Sequence, residues 1–225
     1  MGRIISAKDR RPLLSVWVRR IHRNLEDYGW STTLRKTLQK AMWPIFFRNV
    51  YRLYRIELSS APREETSASE SSSFRLLPPE AQPEIEQIET NCEWLRGRLK
   101  KRLAGGDLCL IAEHGNDVAG FNLISTGEIH LAPVNWRRRF RSPHAWSEQI
   151  VVMKKFRNLG LASELRYRIF EELRARGFRR LYGGTSPSNL ASLALARKVG
   201  FREIVDLTYV KILGFKFWTY RKVRR

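Results

Sequence analysis

Arg157-Asn158-Leu159-Gly160-Leu161-Ala162 places a cation, an amide and a glycine directly ahead of a helical pattern in which Leu161, Leu165, Ile169 and Leu173 share one face. The apolar run before it, Ile150-Val151-Val152-Met153, reads as a buried strand. At a strand–turn–helix junction the first-turn N–H groups have no carbonyl partners, and the helix dipole adds partial positive charge there. An anionic diphosphate can therefore be held largely by main chain. Gly160 and Ala162 keep side chains out of the way, and Arg157 can add a charge-assisted contact. Taken alone R-x-x-G-x-A is a weak pattern, because ordinary helix starts match it.

Order and spacing make it specific. The helix runs to Ala175-Arg176-Gly177, with Gly177 placed as a left-handed C-terminal cap, and a strand follows around Arg180 to Gly183. Pro187-Ser188-Asn189 then opens a second helix, which stops at Gly200-Phe201. Together the two stretches resemble the acyl-CoA-binding motifs of the GNAT (N-acetyltransferase) superfamily. The resemblance spans roughly Phe74 to Val210, with its specific motifs between Arg157 and Phe201. It implies an α+β fold, a mixed and mostly antiparallel central sheet flanked by helices, with an acyl-CoA as co-substrate, acetyl-CoA first, and no metal. The cofactor-binding positions it implies are Ile150, Val151, Val152, Arg157, Asn158, Leu159, Gly160, Leu161, Ala162 and Asn189. Asn189 would help to hold the pantetheine arm, and it reads equally well as a plain helix N-cap.

One family residue is absent. Many members carry a tyrosine in the second helix whose hydroxyl protonates the departing thiolate, and Ala196 stands at that position here. Solvent, or a hydroxyl of Tyr182, Thr185 or Ser186, is left to do that work, which a CoA thiolate tolerates near neutral pH. Transfer to an amine also needs a base, since an alkyl ammonium of pKa roughly 10 must lose a proton before it attacks. Glu148, in the strand that would splay open beside the pantetheine, is the first candidate, and a carboxylate in an apolar strand could be made more basic. An ordinary ion-paired Glu148 is the competing reading; His130, His144, Glu113 and His114 are weaker candidates. The resemblance assigns backbone N–H groups of Ile150 to Val152 to the developing oxyanion.

Other elements must position these groups. A strand at Phe74–Leu77, a helical stretch through Ile88, Trp94, Leu95 and Leu99 ending at Gly105-Gly106, and strands at Leu108–Glu113 and Val118–Ser125 complete a GNAT-like domain over 74–225. Residues 59–73, nearly devoid of apolar side chains, read as a linker or exposed loop. Residues 1–58 read as a basic extension. Leu13, Trp17, Ile21, Leu25 and Tyr28 form an apolar stripe opposite Arg19, Arg20 and Arg23, a second helix follows Ser31, and Val50 to Leu58 reads as a strand that joins the edge of the sheet.

A formal net charge of +20 exceeds what a CoA molecule requires. The densest cluster, Trp136-Arg137-Arg138-Arg139-Phe140-Arg141, falls in the acceptor-side region and favours an anionic acceptor; the extension could meet a membrane surface. No RNA-binding motif, zinc-finger spacing or basic heptad region points to nucleic acid. Two cysteines without CxxC spacing indicate neither a zinc site nor a disulfide framework and fit a reducing, cytoplasmic setting. Met1-Gly2-Arg3-Ile4-Ile5-Ser6 matches the myristoylation pattern, as many unmodified chains do. The reading is an acyl-CoA-dependent N-acetyltransferase with an unidentified amine acceptor. The alternatives are a longer-chain acyltransferase served by acyl-CoA or an acyl carrier protein, and a catalytically silent GNAT-like binding module.

Overall fold

The computed structural model describes residues 46–62 and 72–223. The helices expected within residues 1–45 and most of the Ser-rich segment lie outside the described residues. The chain divides into a larger unit, 49–209 with 218–225, and a smaller one, 1–48 with 210–217. The described part of the smaller unit holds the starts of two strands, the end of a third and the tight turn at Leu213-Gly214, both with positive φ.

Strands β1 (Phe46–Glu57) and β2 (Ser72–Leu76) are followed by helices α1 (Gln82–Asn91) and α2 (Leu99–Ala104), then β3 (Leu108–His114) and β4 (Asp117–Ser125). A small hairpin, β5 (Glu128–Leu131) and β6 (Trp136–Arg139), precedes β7 (His144–Val152), α3 (Leu161–Ala175), β8 (Arg180–Thr185), α4 (Leu190–Lys198), β9 (Arg202–Ile212) and β10 (Phe215–Lys222). Eight strands make one sheet in the order β10-β9-β1-β8-β7-β4-β3-β2. Every pairing described is antiparallel except β7 with β8, the two strands joined through the crossover helix α3. This is the mixed, helix-flanked α+β sheet that the resemblance implied.

Two apolar layers cover the faces. Leu165, Ile169, Phe170 and Leu173 of α3 pack with Tyr54, Ala196 and Phe201, whereas Ile85, Ile88, Leu99 and Leu103 of α1 and α2 pack with Cys109, Phe121 and Leu123. The expected single helix through Ile88 and Leu99 is broken: α1 ends at Asn91, and Gly97 turns the chain with φ 68°. Glu89 then accepts from the N–H groups of Gly97, Arg98 and Leu99 at 2.7, 3.2 and 2.9 Å, so a side chain of α1 satisfies the open start of α2. The basic run expected on the acceptor side forms β6 and ends at Phe140, whose ring packs on Trp146 and Tyr182.

The alternating residues before Leu58 do form a strand. It sits inside the sheet, between β8 and β9, rather than at the edge where the pattern had placed it. The difference arises from residues beyond the recognised motifs, because β9 and β10 extend the sheet past β1. Arg52 of β1 is fixed there by an ion-pair network: its guanidinium holds Asp206 of β9 through two bonds of 2.7 and 2.9 Å and Glu203 at 2.9 Å. Arg197 and Arg221 close on the same two carboxylates.

Asp206 is 3% exposed, and the hydrogen bond from Arg52 holds its carboxyl below the ordinary range. A depressed folded pKa adds stability that is complete above the unfolded value near 4 and is lost as pH falls through the folded one. Asp206→Asn should therefore lower urea-measured stability at pH 7 by about 3 kcal/mol, the scale for breaking one side of a buried ion pair. The gap to the parent protein should narrow as pH falls from the unfolded value near 4 through the depressed folded one; a gap that does not narrow on acidification would show that the pair is not what Asp206 contributes.

Candidate active site

The site is made by two strands that part. β7 and β8 pair in parallel at His144–Arg180, Ala145–Leu181, Trp146–Tyr182 and Ser147–Gly183, and no further, although β7 runs on to Val152. On its other side β7 pairs with β4, where Ile124 faces Ser147 and Leu123 faces Gln149. Glu148 is the residue left over, a β-bulge that bends its strand. Pairing to β8 ends just where the bulge begins.

Beyond the bulge, backbone groups of β7 that point away from β4 have no strand partner. The Met153 N–H donates to the Ala119 carbonyl at 2.8 Å, so alternation turns the Val151 N–H toward β4 and those of Ile150 and Val152 into the opening. These N–H groups border a cleft of about 560 Å³ that is lined by Ile150, Val151 and Val152, by Arg157, Asn158, Gly160, Leu161 and Ala162, and by Ala191, Ser192 and Leu195 of α4. Gly160 is the N-cap residue of α3 at φ 78°, and a Cβ there would meet no atom within 4 Å, so its missing side chain faces open space. Asn158 is also left-handed, at φ 67°, which turns the loop tightly into the helix. Arg157 donates from Nε to the Val152 carbonyl at 3.4 Å and borders the same cleft.

Two of the expected binding residues stand outside that lining. Leu159 is 51% exposed. Asn189 acts as the N-cap of α4, its Oδ1 accepting from the Ser192 N–H at 3.1 Å, and the cleft is bordered instead by the first turn that it caps.

At the bulge, as along any strand, neighbouring side chains take opposite faces. Glu148 turns toward α2, where Arg102 grips both its oxygens at 2.8 and 2.5 Å. Arg102 is itself steered by Asp107 at 2.7 Å, and Asp107 accepts from Ser125 Oγ at 3.1 Å and the Thr126 N–H at 3.2 Å. Glu148 is thus an ion-paired carboxylate rather than one set in apolar surroundings. Tyr51 borders it: burial, then Tyr54 and Glu148, push the Tyr51 phenol up, and its hydroxyl donates to the Gly184 carbonyl at 2.7 Å. The Gly183-Gly184 pair is what admits two tyrosines here, since a Cβ on Gly183 would lie 2.5 Å from the Tyr54 ring and one on Gly184 2.5 Å from that of Tyr51.

Ser147 turns the other way, toward α3. Its Oγ accepts from Arg166 and donates to Asn122 Oδ1 at 3.3 Å. Arg166 is 4% exposed, lies over the Phe201 ring at 5.5 Å, and is driven by burial below its usual pKa. Tyr51, Arg102, Asn122 and Arg166 were not legible as site residues. An arginine beside the Leu161–Leu165–Ile169 stripe is the one signal the sequence carries, and it is diluted by several other arginines on the same helix.

The weaker candidates serve elsewhere. Glu113 is bound by Arg75 at 2.7 Å, the His114 ring packs on Phe156 at 5.4 Å, His130 meets Asn135 within the hairpin, and His144 packs edge-on to Tyr182. Of the hydroxyls considered as acids, Tyr182 lies against Phe140, and Ser186 bonds Ser188 at 2.8 Å within the turn. Both cysteines are buried thiols, with Cys109 pushed up to about 12 by burial. Among the described residues no His, Cys, Asp and Glu group is arranged to hold a metal, and no helix is long and apolar enough to cross a membrane.

Comparison with known proteins agrees with this geometry. The profile of the acetyltransferase (GNAT) family matches residues 63–201. Solved structures of the same fold include a Drosophila protein (12% identical, TM-score 0.53, 82% of this chain and 58% of that one). A GCN5-related N-acetyltransferase from Sphaerobacter thermophilus is 16% identical at TM-score 0.54, covering 92% of this chain and 71% of that one. A GCN5-related glucosamine N-acetyltransferase region of a fungal multi-domain GH3 β-N-acetylglucosaminidase is 13% identical at TM-score 0.58, covering 81% and 23%. No curated protein matches the chain by sequence. With a profile that spans well over half of its length, and with a parted β7–β8 pair above the two motif helices, the chain belongs to the acetyltransferase (GNAT) family.

Proposed function

We propose that the protein is an acyl-CoA-dependent N-acyltransferase that moves an acyl group to an amine by direct attack. The parting of β7 from β8 beside the open N-terminus of α3 carries this reading. The diphosphate sits on the N–H groups that follow Gly160, with Arg157 beside it. The pantetheine adds as a short strand along β7, its amides pairing with Ile150 and Val152 where β8 has withdrawn. CoA is the co-substrate in this reading, and no metal is required.

At the inner end the thioester carbonyl lies against the bulge. A free N–H of β7 stabilises the developing negative charge, the amine attacks, and the C–S bond breaks as the C–N bond forms. Glu148 is the base. Arg102 occupies two of the carboxylate's about four lone-pair sites, which leaves room to take the proton directly or through one water. Ala196 offers no hydroxyl, so solvent protonates the thiolate. The β5–β6 hairpin, which leads directly into β7, carries the exposed Arg137, Arg138 and Arg139, and this supports an acceptor that pairs its amine with a negative charge.

Titration calorimetry with CoA tests the cofactor half of this reading. Micromolar binding by the parent protein should be lost in Gly160→Trp, which fills the diphosphate space, while the variant keeps its circular dichroism spectrum; unchanged affinity in a folded variant would refute the placement. For the chemical half, thiol release from acetyl-CoA is followed across a panel of amines that includes phosphorylated and carboxylated ones. Glu148→Gln should lower turnover with the responding amine ~10²-fold and leave CoA affinity near the parent value. Full turnover from pH 6 to 9 in that variant would assign the base to another group.

A further inference from the structure

Arg166 is a buried cation without a buried anion. It is 4% exposed, its neighbours among the described residues are the Ser147 hydroxyl, the Phe201 ring and the Tyr54 phenol, and no ion pair joins it to a described carboxylate. Its Nε has no hydrogen-bond partner, and neither does Nδ2 of Asn122 at the other end of the Arg166–Ser147–Asn122 chain. Guanidinium does not give up its proton in proteins, and an uncompensated buried charge is strongly destabilising. A buried network with two donors left open calls for an acceptor bearing negative charge.

Its position says where that acceptor comes from. Beyond the lining, each of the cleft's three walls leads along its own element to a residue in or beside this cluster. On α3 the lining residue Ala162 is followed one turn later by Arg166; on α4 Ser192 is followed one turn later by Ala196; on β7 Ile150 leads back across the bulge to Ser147. Ala196 belongs to the same packed cluster as Tyr54 and Phe201, and Arg166 lies over the Phe201 ring. The inner end of the cleft thus combines a small side chain on α4 with a cation on α3.

Building on the acyl-CoA reading of the cleft, we propose that the donor acyl group is a short dicarboxylic one, of succinyl size, whose distal carboxylate pairs with Arg166 and Asn122 at the inner end of the cleft. The transfer itself is unaltered. The thioester carbon nearest sulfur is attacked by the amine, the C–N bond forms as the C–S bond breaks, Glu148 takes the proton of the ammonium, CoA leaves as the thiolate, and the distal carboxylate passes unchanged into an N-succinyl-type amide. Only the site's charge decides between this donor and one ending in a methyl group, since the two chains have the same length.

Calorimetry with CoA, acetyl-CoA, butyryl-CoA and succinyl-CoA decides the point without knowledge of the acceptor. The parent protein should bind succinyl-CoA at least tenfold tighter than butyryl-CoA, which matches it in length and lacks the charge. Arg166→Met should abolish or reverse that preference and leave CoA itself bound within about threefold. Equal or weaker binding of succinyl-CoA by the parent protein overturns the proposal while leaving the acyl-CoA reading intact, and absence of binding by all four compounds overturns the reading itself. A preference that survives in Arg166→Met places the carboxylate elsewhere and also overturns it. Should that variant fail to fold, Ala196→Val, which narrows the same end and keeps the charge, should weaken succinyl-CoA at least fivefold and spare CoA; equal weakening of both, or of neither, counts against the proposal.

Discussion

One extra residue in one strand governs this molecule. Because Glu148 has no partner on β4, β7 bends at that point, its pairing to β8 stops at Ser147–Gly183, and main-chain donors in the middle of a sheet are left facing a cleft. Unpaired strand groups inside a domain are costly unless something completes them. Ser147 and Glu148, adjacent in the strand, face opposite sides of the sheet, so α3 and α2 are each fastened to β7 by one arginine, Arg166 and Arg102. In the proposed reading, the opening that takes the co-substrate and the carboxylate that serves as base both lie at this single irregularity.

The two arginines work in opposite electrostatic settings. Arg102 has two carboxylates, Glu148 and Asp107, so its charge is more than offset on the protein. Arg166 has a hydroxyl, an aromatic face and a phenol, a set that solvates a guanidinium without neutralising it. A third cluster, around Arg52 and Asp206, again pairs cations with carboxylates and holds β1 to β9 far along the sheet. The contrast between arginines paired with carboxylates and a buried arginine that has no described carboxylate is what sets Arg166 apart in the proposed reading.

The sequence carried the motif-bearing half of the fold closely. Gly177 is left-handed where it was expected, α3 and α4 begin and end as their caps require, and Asn189 caps α4 through its side chain. These are local signals, written within a few residues of the structure they cause. What was not legible depends on pairing between distant segments. The interior position of β1 is set by the β9–β10 extension and by Arg52 meeting Asp206, 154 residues later. The bulge is invisible as well, because it is defined by the register of β7 against β4 and not by the residue type at position 148. Arg166 could be seen on its helix, but only the packed structure shows that it points inward with no carboxylate beside it among the described residues.

Residue-resolved amide hydrogen exchange by NMR, with and without CoA, tests the central claim most directly. If β7 lends its free edge to the pantetheine, CoA should slow exchange at Ile150 and Val152, whose N–H groups face the opening, and leave Val151, already bonded to β4, nearly unchanged. Protection that is absent at Ile150 and Val152, or that falls equally on all three residues, would contradict the account.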